Sequence, residues 1–181
     1  MMNKTKTRKI GALALVVLGI LIFVAGLSWL ILFKLSLPPW SIQTEGKYAA
    51  FSMAVFAFLW TIPHVISLFL MAYLIHPSKF ERFSTISNAL FVVLGIGGFV
   101  ITALLTIAII NNFPSMNYIP RIIFNSITVT SPFWVMGILA IFAFKKDKFE
   151  NMKKEYKLMI LAILLLVIII GLLYMGFIFI I

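Results

Sequence analysis

Five stretches of the chain, each 23 to 28 residues long, contain no Asp, Glu, Lys or Arg. They run from about Ile10 to Phe33, Tyr48 to Ile75, Ile86 to Ile110, Ile122 to Phe144 and Leu158 to Ile181. An α-helix needs about 20 apolar residues to cross a hydrocarbon core ~30 Å thick. Inside that core no water is available to pair with backbone N–H and C=O, so only helices and closed barrels can span it. Barrel strands read as alternating segments of about ten residues, whereas these runs are continuous. The expected fold is therefore all-α: an integral membrane bundle of five transmembrane helices forming one transmembrane domain over residues 1–181.

Composition points the same way. Of 181 residues, 63% are hydrophobic and 11% charged, against roughly 45–50% and 25% in soluble domains. A protein this small has too little interior to hide that much apolar side chain, so membrane lipids must be its solvent and its most general partner. A net charge of +10 would suggest nucleic acid in a soluble protein. Here the cations are confined to short segments between apolar runs, so no nucleic-acid partner is expected. The absence of cysteine excludes disulfides, Cys-ligated metal centres and thiol catalysis.

The cations also report orientation. Lys4, Lys6, Arg8 and Lys9 precede the first run, Lys79 and Arg82 follow the second, and six lysines between Lys145 and Lys157 follow the fourth. These three segments hold 12 of the 15 basic residues, and only Lys34, Lys47 and Arg121 fall on the other side. The positive-inside rule then places the N-terminus in the cytoplasm and the C-terminus outside. Trp29, Trp40, Tyr48 and Tyr118 would cluster at the outer interface, where amphipathic rings prefer to sit. Val24-Ala25-Gly26 resembles a signal-peptidase site. The apolar run continues to Phe33, however, past the 7–15 residues of a usual signal core, so a retained helix is expected.

Loops are short. Leu37-Pro38-Pro39-Trp40 reads as a rigid interfacial turn, and the second outer loop carries Pro114 and Pro120. Between Lys145 and Lys157, Phe149, Met152 and Tyr156 are spaced i, i+3, i+7, with Glu150 four residues before Lys154. That pattern suits a helical extension lying on the membrane surface, either recruiting anionic lipid or acting only as a topology determinant. At an offset of 69 residues, Thr61-Ile62-Pro63 aligns with Thr130-Ser131-Pro132 and Lys79-Phe80-Glu81 with Lys148-Phe149-Glu150, giving 6 identities in 21 positions. A duplicated hairpin in a 1 + 2 + 2 arrangement would explain this, as would the commonness of Thr near Pro kinks and of basic triplets at membrane surfaces.

His64 is the one ionisable side chain well inside a span, about 18 Å from His76 at the inner end by helical rise. Intramembrane titratable groups are functional candidates. At the same depth lie Gly95, Gly97 and Gly98 on the third span and Ser131-Pro132-Phe133 on the fourth, which also carries Asn125, Ser126, Thr128 and Thr130. A midplane pocket lined by His64, Thr61, Thr128 and Ser131 is one reading. Close packing with polar residues as interhelical glue is the other, and His64 would then donate to a carbonyl freed by Pro132. The fifth span is almost wholly aliphatic, with Gly171 and Gly176, and reads as lipid-facing or subunit-facing.

No catalytic or dinucleotide motif is present, so no enzyme activity, cofactor or metal is expected. Three functions compete. The first is a non-catalytic subunit or accessory protein of a larger membrane complex, such as a respiratory or secretion assembly. The second is a small-molecule transporter or permease component using His64. The third is a haem- or quinone-handling protein, in which His64 would pair with Met136 or Met53. Carriers usually place a carboxylate in the membrane, and this chain has none there, which favours the first.

Overall fold

A computed structural model of the protein describes residues 4–36, 45–76, 84–112 and 119–180. Six helices account for nearly all of them: α1 Lys4–Ser36, α2 Glu45–Ile75, α3 Ser84–Asn112, α4 Ile119–Phe144, the short α5 Lys146–Glu150, and α6 Lys154–Ile180. Among the described residues there is no strand. All helices but α5 are long and apolar enough to cross a membrane. All five extend beyond the uncharged runs at one or both ends. A helix does not stop where charge begins, because continuing it keeps interfacial backbone groups paired. Pro120 falls in the first turn of α4, where a missing N–H costs no intrahelical bond. The expected turns at Leu37-Pro38-Pro39-Trp40 and Pro114, the Lys79-Phe80-Glu81 triplet, and the anchors Trp40 and Tyr118 lie outside the described residues.

Packing divides the spans into two classes. In the most hydropathic windows of α2 and α4, 56% of residues are buried, against 11% for α1 and 17% each for α3 and α6. Thus α2 and α4 form the centre and the other three lie outside. The most extensive pairings are α3 with α4 and α1 with α2, followed by α2 with α4 and α4 with α6. The apolar core runs along α2 and α4 through Leu68, Met71, Val135, Leu139 and Ala140, closed from α6 by Leu164 and Ile168.

Glycines set how closely the outer helices approach. A methyl on Gly98 would stand 2.5 Å from the Phe133 carbonyl oxygen and 3.1 Å from the Gly137 backbone nitrogen. Only glycine permits that α3–α4 crossing, the small-residue packing common in membranes. On α1, methyls at Gly19 and Gly26 would meet Leu68 and Thr61 of α2 at 3.7 and 3.3 Å.

The segment after α4 differs from the expected surface helix. A turn at Asn151–Met152 ends α5, and α6 begins at Lys154, so the i, i+3, i+7 stripe is broken. Phe149 is buried against Phe142, with ring centroids 5.2 Å apart, while Tyr156 is exposed. Glu150 pairs with Lys146 at 3.9 Å rather than with Lys154, and its carbonyl accepts a 2.6 Å hydrogen bond from the Lys157 ammonium. Burying Phe149 releases more free energy than an exposed ion pair, so the chain bends to bury the ring.

Candidate functional site

Both central helices carry a proline in mid-span, Pro63 in α2 and Pro132 in α4. Proline supplies no N–H, so Pro132 leaves the Thr128 carbonyl without its helical donor. The Ser131 hydroxyl takes that place, donating to Thr128 O at 2.8 Å. One residue on, the Val129 carbonyl accepts from Trp60 Nε1 of α2, also at 2.8 Å. The indole of α2 thus joins the two helices at the turn preceding Pro132. Around Pro63, the Thr61 and Ser67 hydroxyls each donate at 2.7 Å to carbonyls of their own helix, Phe58 O and Pro63 O.

His64 lies one helical turn beyond Trp60. Its Nδ1 is 3.0 Å from the Trp60 carbonyl oxygen. A carbonyl can only accept, so Nδ1 carries the proton and Nε2 presents a lone pair. The expected bond from His64 to a carbonyl freed by Pro132 is therefore not formed: the one ring proton goes to Trp60 O, and Ser131 serves Thr128 O. Trp60 packs on the imidazole with ring centroids 4.2 Å apart. His64 is 0% exposed, and Nε2 has no hydrogen-bond partner.

The Nε2 edge of the imidazole meets α6. A methyl placed on Gly171 would stand 3.1 Å from His64 Nε2, 3.1 Å from Ser131 Oγ and 3.4 Å from the Trp60 ring. Gly171 is thus the point where α2, α4 and α6 converge, and the fifth span is not only a lipid-facing helix. Leucine-rich surroundings hid this contact, although the glycine itself was the available signal. Ser131 has one proton and gives it to Thr128 O, so its oxygen offers no donor to Nε2 in this arrangement.

Of the four residues expected together, His64, Thr128 and Ser131 are buried at the α2–α4 junction. Thr61 is not with them. It turns to α1, where its side chain stands 3.3 Å from the position of a methyl on Gly26. The same depth on α3 is occupied by the Gly98–Phe133 crossing rather than by polar groups. Met136 is buried in the apolar core, and the side chains of Met53, Asn125 and Ser126 lie outside the described residues. His64, Thr128 and Ser131 form a buried polar cluster, in which, among the described residues, His64 Nε2 is the buried side-chain atom without a hydrogen bond. Among the described residues, no group of three His, Asp or Glu side chains is placed to hold a metal ion. No family model, curated protein or solved structure matches the chain.

Proposed function

We propose that the protein is a non-catalytic membrane subunit or accessory protein that works against other membrane chains, as in a respiratory or secretion assembly. The observation that carries this reading is the outer stripe of α3. Val93, Ile96, Val100, Leu104 and Ile107 follow i, i+3, i+7, i+11, i+14, and all are between 51% and 66% exposed. Gly97 lies beside them with open space where a side chain would be. A ridge of this spacing with a small residue in it is the surface by which membrane helices interdigitate. Meanwhile the polar residues at mid-depth are packed against one another.

A photo-crosslinking residue at Ile96 or Leu104, tested in native membranes, should yield a discrete protein adduct, with Leu13 of α1 as the comparison. Lipid adducts alone at all three positions, together with a monomer after mild extraction, would overturn the reading.

The unpartnered Nε2 of His64 favours a second reading, a carrier for a small molecule with a hydroxyl or N–H donor. That molecule would enter by parting α6 from α2 and α4. Transport or ligand protection that survives His64→Ala removes it. The same nitrogen would serve haem or hydrogen-bond a quinone, the third reading, and a colourless preparation excludes its haem form.

We also propose that the N-terminus is cytoplasmic and the C-terminus extracytoplasmic, in a cell membrane, on the strength of the 12 cations gathered at one end. Because the chain lacks cysteine, single cysteines report cleanly. Lys148→Cys should react with an impermeant maleimide only after lysis, and Asn111→Cys in intact cells; the reverse pattern inverts the topology.

We also propose a duplication relating α2 to α4, on the 6 identities in 21 positions at the 69-residue offset. The close pairing of α1 with α2 and α3 with α4 favours a unit made of those pairs over the 1 + 2 + 2 division.

A further inference from the structure

At the end of the bundle carrying α5, helices α1 and α6 stand apart and leave a cleft of about 940 Å³ floored by α2. Its mouth is cationic: Arg8 of α1 and Lys154 and Lys157 of α6 line it, with Glu150 the one carboxylate. Glu150 is drawn toward Lys146 on its own helix, 3.9 Å away. The Lys157 ammonium gives one of its three donors to the Glu150 carbonyl and keeps two. Below the mouth the walls are apolar, formed by Leu15, Met71, Leu161 and Leu165.

Helical rise sets the depth. From Arg8 to Leu15 is about 10 Å along α1, and from Lys154 to Leu165 about 16 Å along α6. Half of a ~30 Å hydrocarbon core is about 15 Å, the reach of one leaflet. The cleft therefore has the length of an acyl chain and not of a membrane-spanning ligand, with cations at the level of the headgroup phosphate.

We propose that this cleft is a binding site for one anionic glycerophospholipid of the leaflet next to α5, its phosphate held by Arg8, Lys154 and Lys157 and an acyl chain lying between α1 and α6. Charge complementarity selects the headgroup, because three cations face one carboxylate already engaged elsewhere. Apolar walls select a lipid over a soluble phosphate. The site is independent of the His64 cluster and of the α3 stripe.

Native mass spectrometry of the full-length protein in detergent, titrated with phosphatidylglycerol, phosphatidylcholine of the same acyl composition, or glycerol phosphate, tests this. One phosphatidylglycerol should be retained, and neither of the other two. Retention should weaken about fivefold for each of Arg8→Gln, Lys154→Gln and Lys157→Gln. Lys145→Gln, Lys148→Gln and Lys153→Gln, outside the cleft, should leave it unchanged. Ala162→Trp, which fills the apolar wall without touching charge, should abolish retention and keeps the test decisive if the charge variants fold poorly. Equal weakening by both lysine sets, equal retention of phosphatidylcholine, or unaltered binding to Ala162→Trp would overturn the proposal.

Discussion

At the scale of the residue, position decides what the same amino acid does. Gly97 and Gly98 are neighbours on α3, yet a methyl at Gly97 meets nothing within 4 Å and one at Gly98 meets a backbone oxygen at 2.5 Å. Backbone cannot swing aside as a side chain can. Gly98→Ala should destabilise the bundle by about 1–3 kcal/mol, the usual range for overpacking. Gly97→Ala should be neutral in the isolated protein, both judged by thermal unfolding in detergent. His64 is a second instance. Replacing it with leucine loses one hydrogen bond worth about 1 kcal/mol and an aromatic contact of about 0.5–1.5. It also removes an unsatisfied acceptor costing about 1–3 kcal/mol. The terms offset, so His64→Leu should unfold within about 1 kcal/mol of the parent. A loss above about 3 kcal/mol would mean that Nε2 has a partner in the working protein.

Among the elements, α4 carries its mid-span proline beside a hydroxyl that compensates for it. The Ser131 hydroxyl stands in for the N–H that Pro132 lacks, which makes the two residues energetically dependent. Ser131→Ala alone should cost about 1–2 kcal/mol by orphaning the Thr128 carbonyl. In the Pro132→Ala background, where a backbone N–H can serve that carbonyl, the same change should cost less. A double-mutant cycle by unfolding measures the difference, and strict additivity would show that the hydroxyl does not replace the missing N–H. The hairpin segment after α4 carries a related lesson. Its i, i+3, i+7 pattern is helical in period, but burial of Phe149 against Phe142 outweighs continuity and places a turn at Asn151–Met152. Periodicity states what a helix would present; it does not state whether bending buries more.

For the molecule as a whole, two central helices are wrapped by three that show most of their side chains outward. Leu139→Ala, fully buried on α4, should cost about 2–5 kcal/mol in unfolding. Val93→Ala, two-thirds exposed on α3, should leave the isolated chain within about 0.5 kcal/mol of the parent, as surface changes generally do. If α3 docks on a partner, the same substitution should reduce co-extraction of that partner while leaving unfolding unaltered. A fall in both together would place Val93 in the fold rather than at an interface.

Long uncharged runs determine by themselves five helices long and apolar enough to cross a bilayer, because hydrocarbon offers the backbone no other way to pair its polar groups. His64, Ser131 and Thr128 were legible as mid-depth candidates for the same reason: polar atoms stand out against lipid-compatible surroundings. What remained illegible was how the helices face one another. Apolar residues surround every span on nearly all sides, so hydrophobic periodicity carries little rotational information. Only the packed bundle decided that Thr61 turns to Gly26 of α1 and that Gly171 closes on the imidazole. It also set α2 and α4 as the core, since those facts depend on close steric fit between surfaces that lipid would have solvated equally well.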